Sequence, residues 1–183
     1  MGALHLWITY MSIVTKRGDG GSTCLGCGKS VSKDHIAIEA CGELDELGSC
    51  LGVAKSLITN TKMRGLIESV QRNLFVICSE AAAGPSRTVK LRNRLGKTSV
   101  DAIEKAITAV EKKCPSEMRC FSVAGRNQAS GAMDLARTVA RRAERRVVTL
   151  NKKGLIRNKY ILIYLNRLSD MLYLLARCLE KEG

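Results

Sequence analysis

The segment Tyr160-Ile-Leu-Ile-Tyr-Leu-Asn-Arg-Leu-Ser-Asp-Met-Leu-Tyr-Leu-Leu-Ala176 decides the fold. Its apolar residues fall on nearly every face of a helix, which is typical of a helix that is packed on several sides. We therefore predict a helix over 158–181 at the centre of a bundle. Asn166, Arg167 and Asp170 lie within it and should need polar partners, because a buried polar group without one is costly.

Four more helices are predicted from apolar residues that recur three and four positions apart between Gly, Pro and polar clusters. Their ranges are 36–59, 62–82, 97–113 and 128–151. A basic loop follows the second helix, which ends at Gly84-Pro85. A chain of 183 residues is long enough for one domain with its own core and too short for two. The prediction is one all-α domain.

The net charge of +13 limits the kinds of partner. Residues 1–90 carry 10 basic and 8 acidic groups, whereas residues 91–183 carry 20 and 9, so the excess lies in the second half. Such a surface suits nucleic acid, an anionic membrane or a small polyanion. Only 4% of residues are aromatic, which leaves few side chains to stack on bases, and no apolar run approaches a membrane span. We predict a soluble, cytoplasmic protein that binds neither nucleic acid nor membrane.

The cysteines and the N-terminus carry weaker signals. Eight cysteines without a secretion signal are interpreted as reduced, buried small residues. Cys24 and Cys27 have metal-knuckle spacing, but no second pair follows, so no dedicated metal site is predicted. Residues 1–14 are interpreted as an extension, either a mis-assigned start or a disordered or β-like segment, and 15–183 as the functional domain.

The run Leu135-Ala-Arg-Thr-Val-Ala-Arg-Arg-Ala-Glu-Arg-Arg-Val-Val-Thr-Leu150 contains the most informative charges. Arg137, Arg141 and Arg145, here called the arginine row, recur every four residues and so share one face of a helix. Guanidinium groups bind phosphate in a bidentate manner, and three of them suit a polyphosphate. The alternative is a basic face that contacts only solvent.

A glycine-rich segment near the start carries the second motif, Thr15-Lys-Arg-Gly-Asp-Gly-Gly-Ser-Thr23. We predict a flexible loop up to Lys33 whose backbone amides can contact phosphate oxygens; an ordinary surface loop is the alternative. Gly28-Lys29-Ser30 matches the end of a Walker A motif. A P-loop hydrolase is nevertheless disfavoured, because Thr23 replaces the first required glycine and no apolar strand ending in Asp follows.

With Asp45-Glu-Leu-Gly-Ser49 and Asn166-Arg-Leu-Ser-Asp170, these motifs resemble the ATP:corrinoid adenosyltransferases of the propanediol-utilisation type, from about residue 13 to the C-terminus. The resemblance implies a ferritin-like, five-helix up-and-down bundle that forms a homotrimer with active sites between subunits. It also implies transfer of the 5′-deoxyadenosyl group of ATP to cob(I)alamin, with release of triphosphate. A corrinoid reductase and an adenosylcobalamin-dependent acceptor enzyme are the implied partners. The alternative is a basic helical nucleic-acid or nucleotide-binding module without catalysis.

The resemblance also implies which residues contact the nucleotide. These lie in the glycine-rich loop, the arginine run and the last helix: Thr15, Lys16, Arg17, Gly18, Thr23, Cys24, Lys33, Arg141, Arg142, Glu144, Arg145 and Asn166. Among them Arg141 is catalytic, because it holds the triphosphate. The Mg²⁺ that accompanies ATP is expected near Glu144.

Three further catalytic residues follow from the same resemblance. Arg137 and Asp45 match a salt bridge between subunits, with an intramolecular pair as the alternative. Phe121 matches the residue on the corrinoid face that displaces the lower axial base of cobalamin; without the resemblance it would be assigned to the core. The chain departs from the family pattern at Ala124-Gly125-Arg126, where Pro-Gly-Gly is common, and at Gly48, where Asn is usual.

Overall fold

The computed structural model describes residues 14–85, 89–113 and 122–181. These residues form one β-hairpin followed by five helices: β1 Ser22–Cys24, β2 Ser30–Ser32, α1 Ile36–Ser56, α2 Thr61–Ala83, α3 Lys97–Glu111, α4 Gln128–Lys152 and α5 Lys159–Leu179. All five predicted helices are confirmed to within one turn at each end. The all-α prediction is wrong in one respect, because the glycine-rich segment forms the hairpin.

The contacts between helices determine their order in space. Helix α1 packs against α2 and α4, α4 packs against α5, and α5 packs against α3. Cys41 near the start of α1 contacts Cys78 near the end of α2, while Gly48 contacts Gln71. Helices α1 and α2 are therefore antiparallel, as their short connection requires.

Helix α4 runs antiparallel to both of its neighbours. Arg146 near its end pairs with Glu39 at the start of α1, and Asp134 near its start pairs with Arg177 at the end of α5.

Helices α3 and α5 are parallel. The side-chain amide of Asn158, just before α5, donates a hydrogen bond to the carbonyl of Leu95, just before α3. Nine residues further along each helix, Arg167 pairs with Glu104. These directions confirm the five-helix up-and-down bundle.

Helix α5 supplies the largest part of the core, with 12 buried residues among its 21. It is not apolar on every side, however. Ile163, Asn166 and Asp170 follow one another on a single exposed stripe. Asn166 and Asp170 are therefore not buried, because this spacing of three and four keeps them on the solvent side. The expected polar partners are nevertheless found for Asn166, which accepts a hydrogen bond from Arg167 at 3.1 Å, and for Arg167. Arg167 is partly exposed and pairs with Glu104 at 3.2 Å.

Polar side chains cap most helix starts. The side chains of His35, Asn60, Asn127 and Asn158 accept hydrogen bonds from backbone N–H groups in the first turns of α1, α2, α4 and α5. Each cap satisfies donors that have no partner within the helix.

A buried carboxylate holds one end of the bundle together. Glu80 near the end of α2 is 4% exposed and accepts hydrogen bonds from the Leu95 N–H at 2.8 Å and the Asn158 side-chain amide at 3.1 Å. Arg94 lies 3.7 Å from its second oxygen. Glu80 therefore connects α2 to the segments that begin α3 and α5.

The cysteines differ from the prediction of buried small residues. The six described cysteines are free, and five are partly exposed while Cys24 is exposed. Cys41 donates a hydrogen bond to the backbone carbonyl of Cys78 at 3.6 Å, and the thiol–thiol hydrogen bond raises the pKa of Cys41 while it lowers that of Cys78. None of the helices in the described ranges combines the length and apolar content needed to cross a bilayer.

Replacing Glu80 with alanine should lower the free energy of unfolding by about 2–4 kcal/mol, because the buried Leu95 N–H loses its acceptor and the half-buried Asn158 amide loses one of its two. Urea unfolding followed by circular dichroism measures this loss. Glu68→Ala is the matched control, since it breaks only an exposed pair with Arg72 on the same helix. Equal stability of the two variants would contradict the role of Glu80.

Candidate functional site

The arginine row lies on the side of α4 that faces away from the core. Ala136, Ala140 and Ala143 bury the opposite face. Arg141 and Arg145 are exposed, and neither has a hydrogen-bond or ion-pair partner among the described residues. Two unpaired guanidinium groups one helical turn apart form a local positive site that suits an anion with several charged oxygens.

The neighbouring arginines of the same run are already neutralised. Arg142 donates to Glu43 at 2.5 Å and also to Glu46, and Arg146 lies 3.3 Å from Glu39. The hydrogen bonds with Glu46 and Glu43 raise the pKa of Arg142 above its usual range. The predicted contact between Arg142 and ATP stays a prediction, and the observed role of this side chain is to bind α4 to α1.

The glycine-rich segment is a structured hairpin. Thr23 pairs with Val31 in antiparallel register, and the Gly26 N–H donates to the Ala82 carbonyl at 3.0 Å, which attaches the hairpin tip to the end of α2. Ser30 begins a strand, whereas a Walker A motif needs a helix there. The predicted loop is therefore wrong for residues 22–32, whereas residues 15–21 contain neither strand nor helix and their flexibility stays a prediction. The doubt about a P-loop is supported.

Three of the predicted nucleotide contacts lie at the base of the hairpin: Lys16 and Gly18 precede it and Lys33 follows it. The Lys33 side chain lies directly against Gly18, since a Cβ on Gly18 would be 3.0 Å from the Lys33 ammonium nitrogen. The Lys33 N–H donates to the Gly21 carbonyl at 2.9 Å. Lys16 adopts a left-handed φ of 56°, which is uncommon and strained for a residue with a side chain.

The other hairpin residues lie on the surface. Thr15, Arg17 and Cys24 are exposed, and Thr23 is half-buried. Because α1 begins shortly after the hairpin and its Glu39 contacts Arg146, the hairpin lies at the same end of the bundle as Arg145. Asn166 on α5 is exposed and about level with Arg145 in the antiparallel register of the two helices that the Asp134–Arg177 pair sets.

Asp45 and Arg137 do not pair within the chain. Arg137 donates from Nε to Asp134 at 3.0 Å. Asp45 is exposed on another side of α1, where it lines a groove of about 310 Å³ between α1 and α2. Phe75, with 70% of its surface exposed, borders the same groove.

Glu144 lies on α4 between Arg141 and Arg145, half-buried and without a described partner. A carboxylate is the hard oxygen ligand that Mg²⁺ prefers, and Mg²⁺ on a nucleotide needs only one or two of them. In the part of the chain that the structure describes, no three His, Cys, Asp or Glu side chains cluster as a metal site.

Phe121 lies outside the described residues, but the segment that follows it is attached at two points. The Ser122 hydroxyl donates to Glu180 at 3.0 Å, and the Asn127 amide donates to the Leu179 carbonyl at 2.7 Å. Gly125, within the altered tripeptide, has φ 93° and lies close to α4, since a Cβ on Gly131 would be 3.2 Å from its Cα. The turn thus still depends on glycine.

Sequence reasoning missed a buried group of charges, here called the charged cluster: Asp134, Arg137, Arg177 and Glu180. Arg177 is 1% exposed and pairs with Asp134 and, at 2.8 Å, with Glu180. The available signal was a single arginine in the apolar end of α5. It was overlooked because nothing in α5 itself identifies Asp134 as its partner.

Comparisons with known proteins agree on one family. Residues 13–179 match the family model described as cobalamin adenosyltransferase. The chain is 38% identical over 173 residues to the corrinoid adenosyltransferase PduO of Citrobacter freundii, an alignment that covers 94% of this chain and 51% of that protein. It is 34% identical over 168 residues to another corrinoid adenosyltransferase of C. freundii, covering 92% and 94%. The chain thus spans about half the length of the first curated relatives it matches.

Solved structures give the same result. A variant of a PduO-type ATP:corrinoid adenosyltransferase from Lactobacillus reuteri complexed with ATP has a TM-score of 0.83 and 31% identity, covering 93% of this chain and 94% of that one. Another variant of that type from the same organism, complexed with cobalamin and ATP, has a TM-score of 0.84 and 31% identity, covering 93% and 91%.

Two adjacent arginines allow a direct test of the charge distribution on α4. Arg142→Met should lower the melting temperature at low salt, because the carboxylates on α1 lose their partner, and this loss should shrink at about 0.5 M salt, where exposed charges are screened. Arg141→Met, which breaks no described contact, should melt like the wild type. Melting followed by circular dichroism at both salt concentrations checks this; equal effects of the two variants would contradict the assignment.

Proposed function

Because the chain belongs to the cobalamin adenosyltransferase family, we propose that it transfers the 5′-deoxyadenosyl group of ATP to cob(I)alamin, forming adenosylcobalamin and releasing triphosphate. The observation that supports this most strongly is that the exposed guanidinium groups of Arg141 and Arg145 have no partner within residues 14–85, 89–113 and 122–181. They remain available for a polyanion while the adjacent Arg142 and Arg146 are neutralised by α1.

The proposed reaction needs positioning and charge stabilisation more than proton transfer. Cobalt(I) donates an electron pair to C5′ of ATP, the cobalt–carbon bond forms, and the bond from C5′ to the phosphate oxygen breaks with its electron pair on triphosphate. Because the leaving group is already an anion, no general acid is required. The protein's task is to hold C5′ near cobalt and to stabilise the charge that develops on triphosphate.

The arginine row and the hairpin divide the binding of ATP between them. Arg141 and Arg145 hold the triphosphate, and Lys33 contributes a point charge. Mg²⁺ would lie on the phosphates near Glu144, where it neutralises further charge. Thr15, Lys16, Arg17, Gly18, Thr23 and Cys24 contact the nucleotide from the hairpin segment, and Asn166 contacts it on the adenosine side.

A homotrimer with active sites between subunits would provide partners for two charged side chains, Arg137 and Asp45. Asp134 uses only Nε of Arg137, so the two terminal nitrogens of this guanidinium have no partner among the described residues. Asp45 is exposed in the groove beside Phe75. An Asp45–Arg137 bridge between subunits would satisfy both groups and would orient the start of the arginine row.

The corrinoid side of the proposal rests on Phe121. Its ring displaces the lower axial base of cobalamin and leaves a four-coordinate cobalt(II) that is easier to reduce. An external corrinoid reductase supplies the electron, and an adenosylcobalamin-dependent enzyme accepts the product. The cytoplasmic location stays a prediction.

An anaerobic spectral assay tests this function. Chemically reduced cob(I)alamin and Mg-ATP should be converted by the enzyme to a product that has the spectrum of an alkylated corrinoid. Anaerobic illumination should break the cobalt–carbon bond of this product and give the cobalt(II) spectrum. A basic binding module without catalysis would leave the cob(I)alamin spectrum unchanged with ATP. Its nucleic-acid affinity would also fall steeply with salt.

Arg141→Ala should lower kcat/KM by a factor that corresponds to a loss of about 2–4 kcal/mol of transition-state stabilisation, because a bidentate contact is lost where charge develops on triphosphate. Arg141→Lys should recover only part of this loss, since an ammonium group is a point charge. Steady-state kinetics with reduced cobalamin measure both. If a folded Arg141→Ala protein had wild-type kinetics, Arg141 would not stabilise triphosphate.

Charge reversal tests the bridge between subunits. Asp45→Arg or Arg137→Asp alone should weaken trimer assembly and activity together, because like charges then face each other, and the double variant should recover part of both. Sedimentation and the spectral assay are measured on the same samples. A double variant that is no better than the worse single variant would count against the pairing.

A further inference from the structure

The charged cluster connects two parts of the proposed active site. Arg177 donates from one terminal nitrogen to Asp134 and from the other to Glu180 at 2.8 Å. Asp134 in turn accepts from Arg137 at 3.0 Å through its other carboxylate oxygen. Glu180 accepts from the Ser122 hydroxyl at 3.0 Å. The buried guanidinium of Arg177 thus contacts both the carboxylate that holds Arg137 and the carboxylate that holds Ser122.

Burial makes the arrangement specific. The side chains of Asp134, Arg177 and Glu180 are between 2% and 8% exposed, whereas that of Arg137 is 28% exposed. Two carboxylates and two guanidinium groups balance in charge. Since an unpaired buried charge is strongly unfavourable, neither carboxylate can turn away from Arg177. The partly exposed Arg137 is the only member of the four that presents its end to the surface.

Two features indicate that the cluster does more than stabilise α4 against α5. Asp134 engages Nε of Arg137, which leaves the two terminal nitrogens of that side chain for another anion. Glu180 holds Ser122, the residue directly after Phe121, and the same turn of α5 also holds Asn127 through Leu179. The cluster therefore reaches both the arginine row and the segment next to the proposed corrinoid face.

We propose that Arg177 is a positioning residue for adenosyl transfer: through Asp134 it orients Arg137, and through Glu180 it fixes the segment that begins at Ser122. This inference rests on the proposed function. It assigns Arg177, Asp134 and Glu180 no contact with either substrate.

Arg177→Lys is the most informative variant, because it keeps the buried charge but cannot reach both carboxylates with two nitrogens at once. We expect kcat to fall about tenfold while KM for ATP stays within about twofold, since Arg141 and Arg145 lie outside the cluster. A purely structural role predicts that lysine restores kcat along with the melting temperature.

A double-mutant cycle shows whether the effect passes through Arg137. In an Arg137→Ala background, Arg177→Lys should cost less than in the wild type, because the side chain that it positions is already gone. An equal loss in both backgrounds would overturn this part of the proposal. Asp134→Asn repeats the cycle if Arg177→Lys does not fold, and Asp101→Asn, which breaks an exposed pair with Lys97, is its matched control.

Ser122→Ala tests the second connection. It should raise KM for cobalamin and leave the affinity for ATP unchanged, and Arg177→Lys should not raise KM for cobalamin further in the Ser122→Ala background. If the increase in KM for cobalamin in the double variant equals the sum of the increases in the two single variants, Arg177 and Ser122 act independently and the proposed connection is contradicted.

NMR of the Arg137 Nε–H group separates this proposal from the proposed function. Its proton should exchange slowly in the wild type and fast in Arg177→Lys. If the wild type lacks adenosyl transfer, the proposed function fails, while the exchange rate still decides whether Arg177 orients Arg137. Slow exchange in Arg177→Lys would refute the positioning role even in an active enzyme.

Discussion

Helix α4 must bury an apolar face between α1 and α5 while it carries five arginines. The fold satisfies this constraint by distributing the arginines around the helix. Arg142 and Arg146 meet carboxylates on α1, and Arg137 meets Asp134 beside α5. Arg141 and Arg145 remain exposed and unpaired within the described ranges, so the position of the proposed phosphate site follows from how α4 packs.

The same constraint explains why acidic residues are concentrated on α1. Glu39, Glu43 and Glu46 lie at spacings of three and four, which puts them along the side of α1 that meets α4. Exposed pairs of this kind add little stability individually. Their main effect is on specificity, because they neutralise one set of arginines and leave the other set to attract a polyanion.

Much of this could be predicted from the sequence, because helix periodicity is local information. All five helices and the exposed face of the arginine row follow from it. The hairpin could not be predicted, since strands of three residues such as Ser22–Cys24 have too few side chains for a recognisable alternation. The different partners of Arg141 and Arg142 also could not, because adjacent residues on a helix point about 100° apart and tertiary packing decides what each one meets. Arg177 and Asp134, 43 positions apart, meet only after α4 and α5 have packed.

The exposed arginines of α4 are proposed to stabilise triphosphate as a leaving group. Phosphorus NMR of the products from Mg-ATP and excess cob(I)alamin measures this release. Intact triphosphate should form in a one-to-one ratio with the alkylated corrinoid, and the Arg141→Ala protein should release it much more slowly. Release of ADP and inorganic phosphate, or of triphosphate without an alkylated corrinoid, would contradict it.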